Sequence, residues 1–258
     1  MVKTILITGA SDGLGFATAK ILADLGQNVI LHARDEQKLN LALKDLGLKN
    51  GYICDLSTMQ NVRYFAEKIK NDKIKIDVLI NNAGVFKVAD TRTIDGLDIR
   101  FAVNTIAPYI LTDQLLPILS DGARIINLAS AAQTTVDINA LMGKTNLPAD
   151  STYAMSKLAL IMVTNYFANK YPDKVFVSIN PKSFLGTKMV KDAYGMQGVD
   201  VNIGARILTE AALDKTFANS SGKYFDNDSV RFANPHPDAF NEAKSAEVIK
   251  TIQQIIGQ

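Results

Sequence analysis

Tyr153 and Lys157, in Tyr153-Ala-Met-Ser-Lys157, stand four residues apart, the spacing that brings a phenol and an ammonium onto one face of a helix. A tyrosine in water titrates at about 10, too high for ready proton exchange at neutral pH. A neighbouring cation favours the phenolate and lowers that value, so that the pair can exchange a proton with an alcohol. The spacing alone is common in helices, and the reading therefore depends on partners. Ser130 closes the apolar run Arg124-Ile-Ile-Asn-Leu-Ala-Ser130, where a hydroxyl at the carboxyl edge of a strand could donate to a substrate carbonyl.

A second constellation stands near the amino end. Thr8-Gly9-Ala10-Ser11-Asp12-Gly13-Leu14-Gly15 follows a short β-branched run and opens a helical pattern. Gly9 permits a tight turn, Gly13 lets the backbone approach a pyrophosphate, and Gly15 allows close packing of helix on strand. The helix start adds free N–H groups and positive dipole. The spacing is G-x-x-x-G-x-G, and a purely structural glycine turn is the alternative. The candidate dinucleotide contacts in this stretch are Gly9, Ser11, Asp12, Gly13, Leu14 and Gly15.

The second β-branched run ends His32-Ala33-Arg34-Asp35. A small residue followed by arginine leaves room for, and neutralises, the 2′-phosphate of NADP, whereas an acid there would bind the ribose of NAD. Ala33 and Arg34 favour NADP(H); Asp35 and the negative charge of Asp12 keep NAD(H) open, and Arg34 could simply be a solvated helix-start residue. Asp55, followed by Leu56, ends the third run and could receive the adenine amino group or cap the helix beginning near Thr58.

These groups need elements to hold them. Short β-branched runs recur at 3–7, 28–31, 51–54, 78–80, 124–128, 175–179 and 223–225, separated by helical patterns. Leu14, Ala17, Ile21, Leu22 and Leu25 fall on one helix face, and Gly26 supplies its stop. The alternation predicts an α/β protein: a single Rossmann-like, doubly wound parallel sheet of about seven strands with helices on both faces. No repeat or linker divides residues 1–258, so one NAD(P)-binding domain is expected. Two excursions, 131–150 and 182–202, interrupt the alternation where ligands bind in such sheets. The second carries Phe184, Leu185, Met189, Val190, Tyr194 and Met196 among glycines, an apolar surface suited to a substrate lid.

Composition bounds the rest. Hydrophobic residues make up 47% and charged residues 21% of the 258, which excludes disordered and disulfide-scaffold classes. A net charge of +2 argues against a nucleic-acid partner. No apolar run is long enough to span a membrane, and no signal sequence opens the chain, so a cytoplasmic location is expected. Cys54 is the only cysteine, and His32 and His236 are the only histidines; no metal site is expected, and these three read as packing or turn residues.

Asn81-Asn82-Ala83-Gly84 follows the fourth run, and Asn104 lies in Phe101-Ala-Val-Asn-Thr-Ile-Ala-Pro108. Taken in order with the glycine turn, Ser130 and the Tyr153–Lys157 pair, these motifs resemble the short-chain dehydrogenase/reductase family over roughly residues 3–190. A weaker likeness continues through Ser221-Gly-Lys-Tyr-Phe225. The resemblance implies Tyr153 as general acid/base and Lys157 as the group that lowers its pKa and holds the nicotinamide ribose. It implies Ser130 as carbonyl polariser, Asn104 as anchor of a proton-relay water, and Asn82, Ala83 and Gly84 as cofactor border.

Pro181 and Thr187 would lie beside the nicotinamide, although Lys182 stands where the family usually has glycine, which strains that position if it needs positive φ. Ser130 and Tyr153 are 23 residues apart, a spacing similar to the retinol-dehydrogenase-like branch, and the longer loop is expected to border the substrate. The implied activity is NADP(H)-dependent hydride transfer to or from a carbonyl or secondary alcohol of a largely apolar small molecule. Reduction of an activated C=C or C=N bond, and a non-catalytic nucleotide sensor, are the alternatives. Assembly as a homodimer or homotetramer is left open.

Overall fold

The computed structural model describes residues 1–257. Eight strands form one sheet: β1 (Thr4–Ile7), β2 (Asn28–Ala33), β3 (Gly51–Ile53), β4 (Ile76–Asn81), β5 (Leu119–Leu128), β6 (Val175–Asn180), β7 (Lys223–Asp226) and β8 (Arg231–Ala233). Their order is β3-β2-β1-β4-β5-β6-β7-β8, and every pairing is parallel except β7 with β8. The order reverses between β1 and β4, so the carboxyl ends of those two strands flank a crevice.

The helices are α1 (Gly13–Asp24), α2 (Glu36–Asp45), α3 (Met59–Asn71), the short α4 (Ile99–Phe101), α5 (Ala107–Leu115), α6 (Ile138–Leu141), α7 (Ala149–Lys170), α8 (Lys188–Tyr194), α9 (Val201–Leu213) and α10 (Glu242–Ile256). Strand residues divide strictly by alternation. Ile5 and Ile7 join the core under α1, α2 and α9, while Leu6 joins the core under α3, α5, α7 and α10. Val78 and Ile80 against Leu79, and Ile126 against Ile125, repeat the pattern. Burial on both faces is why these strands are continuously apolar, and each such side chain contributes about 1.5–3 kcal/mol.

The seven strands expected from sequence are present, and an eighth adds to them. β8 is three residues long with an uninformative pattern, and it is held by tertiary contact: Phe232 packs on Phe217 and Phe225 at ring separations of 5.3 and 5.2 Å. β5 stops at Leu128, so Ser130 lies just beyond the strand rather than closing it. Most of the 131–150 excursion turns away from the crevice and docks on the carboxyl-terminal segment. Thr135 Oγ1 donates to Asp238 at 2.6 Å, and the His236 amide donates to Gln133 at 2.7 Å. His236 thus starts a short 3-10 turn.

Candidate functional site

A cleft of about 770 Å³ opens over the carboxyl ends of the strands, well within the size range of small-molecule sites. Its nucleotide side is shaped by backbone. Gly9 has φ +63°, and a Cβ on it would lie 2.9 Å from Ala83 Cα. A Cβ on Gly15 would lie 2.4 Å from the Gly9 carbonyl, so only glycine lets α1 start this close to β1. Gly13, at φ +54°, has nothing nearer to its missing Cβ than Thr187 at 3.7 Å. Asp12 gives no side-chain cap to α1, and no acid occupies the first turn. The leading N–H groups of α1 therefore face the cleft with the positive dipole end, a cradle that fits a pyrophosphate.

The Asn-Asn-Ala-Gly segment fastens this turn. Asn82 Nδ2 donates to the carbonyls of Thr8 and Gly9 at 2.8 and 2.9 Å, and the Ala83 amide donates to Thr8 Oγ1 at 3.0 Å. Gly84 passes beside the reacting side: its missing Cβ would sit 3.4 Å from Asn104 Oδ1 and 3.6 Å from Lys157 Nζ.

At the adenosine end Arg34 is exposed along the cleft wall. Asp35 is already engaged, accepting the Lys38 amide at 2.8 Å as the cap of α2. Asp12 is paired with Lys38 at 3.4 Å. Lys38, also on the cleft wall, was not singled out from sequence; its position in the first turn of α2, three residues past a capping acid, was the available signal. Asp55 accepts the Ser57 amide at 3.0 Å. Thr58, not Asp55, stands at the N-cap of α3, so the capping alternative for Asp55 does not hold. Leu56 is buried on the same wall.

The reacting side is built from side chains. Tyr153 and Ser130 line the cleft together; the Ser130 hydroxyl accepts the Ala132 amide at 3.1 Å, and the Tyr224 hydroxyl donates to the Ser130 carbonyl at 3.2 Å. Part of the Tyr153 ring faces the cleft, yet burial pushes its pKa up to about 12, with the nearby Ser130 hydroxyl opposing and the neighbouring Tyr194 phenol adding to the rise. Lys157 is 4% exposed, and burial lowers it to about 8. Its Nζ stands 5.6 Å from the Tyr153 ring centre and donates to the Leu128 carbonyl at 2.7 Å. Burial is the largest influence on both groups. Desolvation penalises both charged forms, and the ammonium points its bond toward β5.

Asn104 occupies a π-helical turn, Ala102–Ile106, between α4 and α5. Its Oδ1 accepts the Val85 amide at 2.8 Å, and its Nδ2 donates to the Val85 carbonyl and Ser156 Oγ, each at 3.0 Å. The side chain thus clamps the loop after β4 to α7. The π turn has no signal in single-sequence periodicity.

Past β6, Pro181 lines the cleft and Thr187 caps α8, with Val190 N donating to its Oγ1 at 3.4 Å. Lys182 sits at φ +130° and Phe184 at φ +55°, the strain foreseen where lysine replaces glycine. Asp228 holds the turn. It takes Asn180 Nδ2 and the Ser183 hydroxyl and amide at 2.8, 2.5 and 3.0 Å, and pairs with Lys182 at 3.5 Å. Asp228 was missed because it is distant in sequence. Of the longer 131–150 loop, only Ala131, Ala132 and Asp150 reach the cleft. Among the described residues no group of three or more His, Cys, Asp or Glu could hold a metal ion.

A doubly wound sheet with a glycine-lined anion cradle at its switch point and a Ser130–Tyr153–Lys157 cluster beside it defines an NAD(P)-binding oxidoreductase of Rossmann type. The family model described as short chain dehydrogenase matches residues 3–198, and the chain belongs to that family. Human Retinol dehydrogenase 13 is 30% identical over 283 residues, covering 99% of this chain and 85% of the relative. Mouse Retinol dehydrogenase 14 is 35% identical over 188 residues, covering 65% and 56%. These relatives bear out the branch expected from the Ser130–Tyr153 spacing.

Among solved structures, a protein from Mycobacterium Paratuberculosis superposes with TM-score 0.83 at 25% identity, covering 99% of this chain and 94% of that one. A short chain dehydrogenase from Shigella flexneri complexed with NADP gives TM-score 0.70 at 26% identity, covering 88% and 97%.

Proposed function

We propose that this enzyme moves a hydride between NADP(H) and the carbonyl or secondary alcohol carbon of a largely apolar small molecule. The observation that carries the reading is the placement of Tyr153 and Ser130 together on the wall of the cleft, two hydroxyls that can address one carbonyl oxygen. The dinucleotide, when bound, supplies or accepts the hydride. Tyr153, raised to about 12, keeps its proton at neutral pH, the form that donates to a developing alkoxide. Ser130 stabilises the same oxygen. Lys157 and the π turn of Asn104 lie behind Tyr153 to restore its proton. Gly9, Gly13 and the α1 start would hold the pyrophosphate, and Asp55 and Leu56 border the adenine.

The preference for NADP(H) rests on charge. Arg34 and Lys38 face the cleft beside three acids: Asp12 pairs with Lys38, Asp35 caps α2 and Asp55 accepts the Ser57 amide, which leaves Arg34 to meet a 2′-phosphate. The apolar substrate rests on the wall of the 182–202 lid. Phe86 packs on Tyr153 at 4.7 Å, Tyr194 on Phe86 at 5.9 Å and Phe184 on Tyr194 at 5.4 Å. Lys87 latches the lid by donating to the Ala193 carbonyl at 3.1 Å, near the carboxyl end of α8. Lys182, the cation that could recruit an anionic substrate, is matched by Asp228. No helix among the described residues is long and apolar enough to cross a membrane, and the reading places the enzyme in the cytoplasm.

NADPH oxidation against a carbonyl panel tests this. Medium-sized hydrophobic ketones and aldehydes should give the highest kcat/KM. Keto acids at the top of the panel would replace the apolar pocket with an anionic one. NADPH binding without turnover of any carbonyl would leave a nucleotide sensor, and turnover confined to C=C or C=N substrates would move the chemistry there.

A further inference from the structure

His32 is 2% exposed in β2, its ring 4.9 Å from that of Phe65 on α3. The Gly9 amide donates to its Nδ1 at 3.1 Å, and its Nε2 lies 3.0 Å from the Cys54 carbonyl. An amide N–H can only donate and a carbonyl can only accept, so Nδ1 must be bare and Nε2 must carry the proton. The neighbours therefore select one neutral tautomer. The His32 carbonyl in turn accepts the Ala10 amide at 2.8 Å. One residue thus holds both amides of the Gly9-Ala10 turn, and its ring links that turn to the end of β3, where Cys54 leads into Asp55.

We propose that His32 is a positioning residue for dinucleotide binding: its imidazole sets the first glycine of the phosphate turn and couples it to the adenine-side wall at Cys54 and Asp55. Gly9 is a sensitive point for such control. It stands at φ +63°, pressed against Ala83 so closely that even a Cβ would meet Ala83 Cα at 2.9 Å. A shift of its amide would move the cradle formed with Gly13 and the α1 start. Burial lowers His32 to about 4, against smaller raising influences from the Cys54 carbonyl and the Asp55 charge. One face of the ring meets apolar Phe65, and the Cys54 thiol is directed at the Asn61 carbonyl at 3.4 Å. The acceptor at Nδ1 is therefore kept at all working pH values, as positioning requires.

The proposal rests on the dinucleotide reading, and its test uses His32→Phe, which keeps a flat ring without the acceptor, and His32→Asn, whose amide oxygen can stand near the place of Nδ1. NADPH titration followed by its own fluorescence should give a Kd raised about tenfold for His32→Phe, the worth of one orphaned buried donor. His32→Asn should restore most of the affinity, whereas a ring needed only for packing would be served better by Phe. ¹⁵N NMR of His32, in a His236→Asn background, should show the Nε2–H tautomer unchanged from about pH 5 to about pH 8, a readout that holds even if His32→Phe fails to fold. An Nδ1–H tautomer, or a His32→Phe protein that binds NADPH as tightly as the unaltered one, overturns the proposal alone. An unaltered protein that binds no dinucleotide overturns the functional reading along with it.

Discussion

The two halves of the cleft are made by different means. On the nucleotide half, positive φ falls on Gly9 and Gly13, where it costs little, and the ligand would meet main-chain amides at a helix start. On the reacting half, positive φ falls on Lys182 and Phe184, and the key groups, Tyr153 and Lys157, are side chains whose pKa values burial moves in opposite directions. Such strain costs on the order of 1–3 kcal/mol per residue and persists only where tertiary contacts hold it; here Asp228 supplies them. The comparison teaches that one half of a cleft can be shaped by unstrained local backbone, whereas the other depends on groups held in states they would not adopt alone.

The sharpest way to separate the halves is Tyr153→Phe. The ring still packs on Phe86, so NADPH affinity should hold while turnover of the best carbonyl falls by about 10³-fold, the usual weight of a general acid. Retained turnover would remove Tyr153 from the chemistry.

Next is the pH dependence of stability. Lys157 falls from 10.5 to about 8 in the folded state. Between those values the unfolded chain binds more protons, so stability should rise with pH across this window, and the penalty is fully present below about 8. The contribution is on the order of 3 kcal/mol. Lys157→Met should be the less pH-sensitive protein in urea titrations from pH 8 to 10; parallel curves would show that burial does not set the lysine.

On the nucleotide half, NADP should bind at least about tenfold tighter than NAD, since a charge-assisted contact is worth about 1.5–3 kcal/mol. Arg34→Ala should reduce that gap toward the share held by Lys38, without changing the pH profile. Equal binding of the two dinucleotides to the unaltered protein would refute the assignment. The smallest effect is expected at Lys182→Gly. Relief of the φ +130° strain, less the entropy of a new glycine and the partly exposed Asp228 pair, should stabilise the protein by about 1 kcal/mol and raise Tm by about 2–4 °C. A lowered Tm would show that the ion pair outweighs the strain.

Much of this was legible in the residues themselves. The glycine turn, the Asn82 segment, Ser130 and the Tyr153–Lys157 pair each announce themselves by residue type and spacing, and the strands by continuous apolar runs. Lys182 in place of glycine even marked the strained turn in advance. What sequence could not show was the partner of each group. Lys38 neutralising Asp12, Asp228 tethering the 182–184 turn, and Tyr224 behind Ser130 are contacts across 26 to 94 positions. β8 and the π turn at Asn104 are likewise products of packing, too short to carry a period.

By itself, then, the chain determined a doubly wound sheet with a glycine turn at the start of its first helix and the placement of a tyrosine, a lysine and a serine at its carboxyl edge, because strand alternation, helix periodicity and glycine conformations are local properties. Only the tertiary structure decided the electrical state of those groups. The pKa of each depends on how much water it retains and where its hydrogen bonds point, and burial in the folded cleft raises the phenol to about 12 and brings the ammonium down to about 8.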